Sequence, residues 1–479
     1  MSDNDFYALM PLLLLAGASV LVMLLIVARL SHRIIQIVSL ALFIVSFSSL
    51  VYMRDLLPYP IDPLFVIDDF GVFMIGLIIF SGLVVNVLSY IYFEEKEEGP
   101  KEYYVLLFLC TLGACVLAVS GHFVSLFLGL EILTVGLYAL IAYLRKRKHS
   151  IEAGIKYLIL AAFSSAFLLF GMALIYLQTG TMGFSEMAGA LADVATIPPL
   201  FLMGLGLMLV GAGFKLAVVP FHMWTADVYQ GAPVPVTAFI ATASKGGVVA
   251  VLLRFFVAID GFRFAGLVFL LICIAIASMI VGNLLALRQK NLKRILAYSS
   301  IAHLGYLLVA FIPGSPMVPQ AVSFYLLAYF VTTLAAFGVV AVLSDRESDA
   351  EELVRYKALF WKHPVLACIL SSALLSLAGI PLTAGFTGKF YILATSLRSG
   401  FWLLGIVLVA SSVIGLYYYL RVITVMFSGI NDHVPEPEEK HPLFFGISMG
   451  VLSVLTVLVI WLGVFPDGVI SFVQQFRLR

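Results

Sequence analysis

Apolar runs of about twenty residues recur from Tyr7 to Leu462, and the short segments between them hold most of the charge. Each run is close to the ~20 residues that an α-helix needs to cross a bilayer core. In lipid the backbone must satisfy its own hydrogen bonds, so repeated runs of this length read as membrane helices. Composition agrees: 62% of the 479 residues are hydrophobic and 11% are charged, against about 25% charged in soluble domains. The chain reads as an all-α polytopic membrane protein embedded in a lipid bilayer.

Fourteen spans are expected, with limits near 7–29, 34–53, 70–93, 103–119, 122–144, 151–178, 198–225, 233–257, 264–287, 292–312, 319–343, 364–396, 400–426 and 442–465. Basic loops stay cytoplasmic. One alternating set of loops carries Arg29 and Arg33, Lys96 and Lys101, Arg145 to Lys148, then Arg288, Lys290, Lys293 and Arg294. It continues with Arg346, Arg355, Lys357 and Lys362 and ends at Lys440, whereas the opposite set has little beyond Arg54, Arg263 and Arg398. Both termini are therefore expected on the outer side, which requires an even number of spans. The first residues, "MSDND", are acidic, with no basic leader and no small-residue cleavage site, so the first run is expected to be a retained helix.

Two spans are interrupted. The run from Pro364 to Leu397 would measure about 50 Å as one helix, and "AGIPLTAGFTGKF" lies in its middle. The seventh span continues through Pro220 toward Tyr229. Proline removes an amide donor and clashes with the preceding turn. A broken helix persists at membrane depth only where protein or water satisfies the freed groups. Each break has a lysine near it, so spans 7 and 12 are expected to be discontinuous helices lining a hydrated path. A plain proline kink is the alternative.

Spans 6 and 11 share a weak pattern, "YLILAAFSSAFLLFG" against "YLLAYFVTTLAAFG", in which Ala161, Phe163, Phe170 and Gly171 match Ala328, Phe330, Phe337 and Gly338. The offset implies two five-helix units, and an odd number of helices inverts the second copy. Inverted repeats of this kind build transport paths at their interfaces. The expected organisation is three N-terminal helices in residues 1–101, a first repeat in 102–257, an inverted repeat in 258–426, and a loop with helix 14 in 427–479.

Four ionisable residues fall far from any span end: Glu131, Lys215, Lys245 and Lys389. Each costs about 2.5–3.5 kcal/mol at a helix centre on insertion scales. Fixed ion pairing is one explanation, with Glu131 against Lys215. One glutamate does not neutralise three lysines, which favours a proton relay. His303, in "AYSSIAHLGY", is either a relay group or a hydrogen-bonded packing residue, with Tyr298, Ser299, Ser300 and Tyr306 around it. His222 follows the break in span 7 and either takes part in proton uptake or caps freed backbone.

Other chemistry is missing from the pattern. The glycines of "GLGLMLVGAGFK" lie in a membrane helix and read as close packing. "GFTGKF" lacks the spacing of a phosphate loop. Cys110, Cys115, Cys273 and Cys368 sit in apolar runs without metal-ligand spacing and read as small buried hydrophobes. The net charge of +1 argues against nucleic acid as a partner. The stretches "EEKEEGPKE" and "SDRESDAEELVRYKALFWKH" read as solvated loops, the second with a short interfacial helix.

The segment "GFKLAVVPFHMWTADVYQGAPVPVTAFIATASK", together with "AYSSIAHLGYLL" and "LSLAGIPLTAGFTGKFYIL", resembles the antiporter-like subunits of NADH-quinone oxidoreductase, respiratory complex I. Nearly the whole chain takes part, and within that family the subunit N branch is the most similar, because a lysine stands at 389. The resemblance implies fourteen helices with two inverted five-helix repeats and breaks in spans 7 and 12. It implies pairing of Glu131 with Lys215, a central axis through Lys245, and an outward route at Lys389. It further implies proton pumping in a bacterial inner membrane, beside subunits M and K. No cofactor is expected in this chain; NADH, FMN, iron–sulfur clusters and quinone belong to partner subunits. The family usually has proline where Ala226 stands. A multisubunit cation/proton antiporter, or a related complex fed by ferredoxin or a deazaflavin, shares the same core motifs and stays open.

Overall fold

The structure, a computed structural model, describes residues 3–94, 96, 100–191, 198–315, 317–429 and 442–476. Lys440, and Glu95, Glu97 and Glu98 of the acidic stretch, lie outside the described residues. Among the described residues, twelve helices are long and apolar enough to cross a membrane, and two shorter apolar helices, Glu102–Ala118 and Pro364–Ala378, complete fourteen segments. The first three spans are Asp3–Val27, His32–Ser48 with its extension Leu50–Met53, and Asp69–Glu94. Spans 4 to 6 are Glu102–Ala118, Phe123–Ile141 and Lys148–Thr179, and span 7 begins as Pro199–Leu216. Span 8 runs from Val234 to Ala258, followed by Ala265–Leu287, Leu292–Phe311 and Val318–Leu343. Pro364–Ala378 and Ala384–Arg398 make span 12, and Trp402–Met426 and Pro442–Val464 close the series. A two-stranded antiparallel hairpin, Tyr59–Ile61 against Phe65–Ile67, lies between spans 2 and 3.

Both expected breaks form, by the same device. Span 7 stops at Leu216, and Ala217 turns left-handed at φ +60°. Ala217 N donates to Phe214 O and Val218 N to Gly213 O, each at 3.0 Å. In span 12 Gly379 takes φ +84°; its N donates to Ser376 O, and Ile380 N donates to Leu375 O, again at 3.0 Å. This is the six-to-one closure that ends helices by satisfying their last carbonyls. Helix resumes at Thr225–Gly231 and at Ala384–Arg398. The two breaks are five spans apart, as an odd-numbered, and hence inverted, repeat requires.

A third interruption had no signal in the sequence. Span 8 runs as Val234–Phe239, then one π turn at Ile240–Ser244, then Lys245–Ala258. Single π turns inside α-helices are frequent at functional positions.

The paired spans 6 and 11 differ in their surroundings. Phe163 and Phe170 are exposed at the perimeter, whereas Phe330 and Phe337 are buried. Gly338 of span 11 lies against Leu88 of span 3 and Leu452 of span 14, so helices outside the repeats cover the second copy. The glycines of span 7 do pack closely: added Cβ atoms at Gly204 and Gly211 would meet the carbonyls of Gly171 and Ser164.

Two sequence readings are corrected. Cys110 and Cys115 are buried, but Cys273 and Cys368 are exposed on outward faces of their helices, where an apolar side chain suits lipid as well as a core. The basic-side loops are not simply solvated. Asp349 is buried and binds three cations: Lys96 Nζ at 3.0 Å, Arg147 Nη1 at 2.9 Å and Lys293 Nζ at 2.9 Å, with Tyr92 OH at 2.7 Å. Burial opposes the charge on Asp349, but Lys293, Lys96 and Arg147 overcome it and hold the carboxyl well below the usual range. The same burial pulls the Lys96 ammonium down to about 8. On the opposite side Arg254 grips Asp68 with two bonds, Nη1 to Oδ2 at 2.7 Å and Nη2 to Oδ1 at 2.8 Å, both side chains nearly inaccessible.

Candidate functional site

The break in span 7 leaves backbone groups that side chains then satisfy. Trp224 Nε1 donates to Phe214 O at 2.9 Å, and Val219 N donates to Ser278 Oγ of span 9 at 2.9 Å. Lys215 lies in the last turn before the break and is buried at 4% exposure. Its Nζ donates to Thr134 Oγ1 of span 5 at 2.6 Å, and that hydroxyl donates to Leu130 O. The rings of Tyr157 and Phe214 stand 5.3 and 5.8 Å from the ammonium.

Glu131 is three residues from Thr134 on the same helix, hence on the same face. It forms no ion pair with Lys215; its Oε1 accepts instead from Ser165 Oγ of span 6 at 2.7 Å, and the residue is half-buried. The expected pair is therefore adjacent but separated, with Thr134 holding the lysine. A hydroxyl that also donates backward to a backbone carbonyl is a neutral resting acceptor, which spares the ammonium a direct bond to the acid.

Lys245 emerges straight from the π turn and is buried. Its Nζ donates to Ser300 Oγ of span 10 at 2.6 Å. Ser300 also shares a hydrogen bond of 2.6 Å with Tyr329 OH and one of 3.5 Å with Tyr229 OH. One turn further along span 10, His303 Nδ1 is bonded to Tyr325 OH at 2.7 Å, and Nε2 lies 3.4 Å from Tyr419 OH. Tyr419 OH in turn bonds Ser299 Oγ. His303 is thus fully engaged by span 11 and span 13 phenols and makes no direct bond to a lysine.

Lys389 uses all three of its donors. Nζ donates to Leu377 O at 2.8 Å, Ala378 O at 3.0 Å and Ser412 Oγ at 2.8 Å. The two carbonyls are the last ones of the first half-helix of span 12, where a cation is favoured by the helix dipole. The Tyr306 ring stands 4.9 Å away, and Tyr306 OH accepts from Asn283 Nδ2 at 3.0 Å. A cavity of about 260 Å³ opens beside Lys389, lined by Ile380, Phe390, Val409, Ser412 and Val413 among others.

His222 lies in the break of span 7 at 9% exposure, and its Nδ1 has no hydrogen-bond partner. The ring also hydrogen-bonds the backbone of Pro220, so His222 caps freed backbone at the break while Nδ1 stays without a partner. Among the described residues, the side-chain bonds of Ser299, Ser300 and Tyr306 go to Tyr419, Tyr329, Tyr229, Lys245, Asn283 and Ser411 and not to Tyr298.

Sequence reasoning missed the phenols. Tyr325 and Tyr329 sit four residues apart in "YLLAY", a spacing that places both hydroxyls on one helix face. That pair in an otherwise apolar helix was a legible signal. Ser412 and Thr134 carried none, since hydroxyl residues in membrane helices commonly bond their own backbone.

Residues 120–415, well over half the chain, match the family described as NADH:quinone oxidoreductase/Mrp antiporter, TM. The chain belongs to that family. Among solved structures, this antiporter-family chain is similar to one in respiratory complex I from Thermus thermophilus with bound aureothin. The two are 33% identical at a TM-score of 0.81, over 96% of this chain and 98% of that one. A chain of the Mrp complex from Dietzia sp. DQ12-45-1b superposes at a TM-score of 0.85 with 21% identity, over 99% and 97%. A chain of the membrane-bound sulfane sulfur reductase, an archaeal respiratory membrane complex, gives 0.82 and 24%, over 98% and 96%. The last two share the fold. The chain is an antiporter-like, proton-translocating membrane subunit.

Proposed function

We propose that this chain is the subunit N-type pump module of a bacterial NADH-quinone oxidoreductase, moving protons outward through Glu131, Lys215, Lys245 and Lys389. The observation that carries the reading is the row of three buried lysines, each held by neutral oxygen acceptors and, among the described residues, none in an ion pair. Structural ammonium groups in membranes are normally neutralised by carboxylates or carry function. Holding all three charged at once is costly, so one proton at a time can pass along the row.

In this reading the Lys215 ammonium moves between Thr134 and Glu131 and so sets the charge felt further along the axis. Lys245 takes the proton centrally. Ser300, Tyr329, Tyr325 and His303 bridge the interval to Lys389, where the cavity beside Ser412 gives a way out. His222, with a free ring nitrogen at the break, serves uptake on the basic side. Electron transfer takes place in partner subunits carrying NADH, FMN, iron–sulfur clusters and quinone, and membrane subunits of the M and K types flank this one. The distribution of basic loops supports both termini on the outer side of a bacterial inner membrane.

The Lys215→Met variant tests the relay. The complex is expected to assemble while respiration-driven pumping and the coupled quinone reductase rate fall sharply; full pumping would overturn it. Isolating the tagged protein in mild detergent tests the assembly. Co-purified flavin and iron–sulfur subunits support the oxidoreductase, and small membrane partners alone would assign it to a cation/proton antiporter.

A further inference from the structure

Spans 2 and 3 carry a polar seam that the relay above does not use. On span 2, Gln36, Ser39, Phe43 and Ser46 recur at three- and four-residue spacing and are all buried. Opposite them on span 3, Asn86 is fully buried, and its Oδ1 accepts from Gln36 Nε2 at 3.5 Å. Asn86 Nδ2, Ser39 Oγ and Ser46 Oγ have no hydrogen-bond partner. Buried polar atoms rarely go unsatisfied, and when protein supplies no partner, ordered water does.

The seam opens at the basic face. His32, one turn before Gln36, bonds the exposed Glu94 at 2.6 Å through Nδ1 and Tyr104 OH at 2.9 Å through Nε2. Its ring stacks on Tyr90 with centroids 4.7 Å apart. An ionisable side chain thus joins an exposed carboxylate to buried phenol. From His32 to Ser39 the seam rises about 10 Å.

Above Ser39 the way is shut. Phe43 stacks on Phe108 at 4.3 Å and fills the space left by Gly82, where an added Cβ would meet its ring at 2.7 Å. Beside Gly82, Ser81 Oγ bonds Thr242 Oγ1 at 2.7 Å. Thr242 belongs to the π turn that delivers Lys245. Polar groups thus line the seam from Glu94 to Ser39 on the basic side of Phe43, with Ser46 beyond that ring, and Ser81 with Thr242 flanks Gly82 on the side of Lys245.

We propose that spans 2 and 3 enclose a hydrated proton-uptake branch, from Glu94 and His32 past Asn86 and Ser39 to Ser81, Thr242 and Lys245. The inference rests on the reading of Lys245 as a relay. One proton enters from water at Glu94 and His32, hops along the water chain, and one arrives on the neutral amine of Lys245. Phe43 blocks leakage to the opposite face.

Two measurements on the whole complex in membrane vesicles test it separately. With Cys110, Cys115, Cys273 and Cys368 replaced, Ser39→Cys and Ser46→Cys are exposed to 2-aminoethyl methanethiosulfonate from the basic face. Ser39→Cys is expected to react at least about tenfold faster than Ser46→Cys. An unreactive Ser39→Cys, or equal rates at both positions, overturns the branch. Respiration-driven proton uptake is then measured in Asn86→Leu and in Ser39→Val, which fill the seam without polar atoms. A fall of about fivefold or more at normal assembly supports the branch, and unchanged uptake in an assembled variant overturns it. Failure of the relay reading is distinguishable: Lys245→Met would then pump normally while Ser39→Cys still reacts.

Discussion

Lys389 reaches back across the break in its own span and donates to the carbonyl of Ala378 at 3.0 Å. The same ammonium takes Leu377 O, so one side chain closes the C-terminus of a half-helix that Gly379 has ended. A fixed structural role and a proton-carrying role meet here, because losing the proton removes one of the three donors that satisfy Leu377 O, Ala378 O and Ser412 Oγ.

Gly379→Ala tests that coupling. The position has φ +84°, and an added Cβ would lie 2.9 Å from Lys389 Cδ. Left-handed backbone costs a non-glycine residue about 1–2 kcal/mol, and the clash displaces the lysine as well. The variant complex is expected to lose proton pumping more than it loses thermal stability. Equal pumping by variant and parent would show that the approach of Lys389 to the break has no functional weight.

Ser300→Ala removes the only hydrogen-bond acceptor that Lys245 has among the described residues. A hydrogen bond to a charged group is worth about 1.5–3 kcal/mol, which corresponds to about a tenfold or greater loss of rate when it stabilises the rate-limiting state. Pumping is expected to fall by about that factor with assembly intact, and Ser300→Thr is expected to restore most of it. Proton uptake in vesicles, with complex content normalised by immunoblot, reads the effect.

Asp349→Asn leaves Lys96, Arg147 and Lys293 facing one another without a carboxylate. Breaking a buried pair in this way costs about 3–5 kcal/mol. Asp349 has a folded-state value below its unfolded one, so its stabilisation is complete above about pH 4 and fades only as acid titrates the folded group. Lys96 is depressed from 10.5 to about 8, so the native state gains as pH rises between those values. Asp349 raises the Lys96 value, so without it Lys96 loses its proton at lower pH, and the stability gap between parent and variant is expected to narrow as pH rises toward about 8 and to stay flat above it. Thermal inactivation of the purified complex across pH measures it.

Asp68→Asn is expected to destabilise the opposite face strongly, since Arg254 keeps its charge without its partner. The double variant Asp68→Asn, Arg254→Met is expected to recover part of the loss, because removing both charges costs less than stranding one. Comparing melting temperatures of the single and double variants decides the point. No recovery would show that the stranded Arg254 charge is not the source of the loss.

The sequence by itself determined how many times the chain crosses the bilayer, because hydrocarbon thickness fixes the length of an apolar run. It also located the breaks in spans 7 and 12 and the four charges at membrane depth, since proline, glycine and an ammonium are costly there and stand out. What the lysines bond was decided by tertiary structure. Thr134, Ser300 and Ser412 come from other spans, and a hydroxyl in a membrane helix looks the same whether it satisfies its own backbone or a neighbour's lysine. The π turn before Lys245 was equally hidden, because "IATAS" has ordinary helical composition and only packing selects the wider turn. Asp349 read as one more loop acid until two loop cations and Lys293, from the first turn of span 10, were folded onto it. Charge in water costs nothing to place, so sequence signals it only where burial makes it expensive, and burial is settled by the fold.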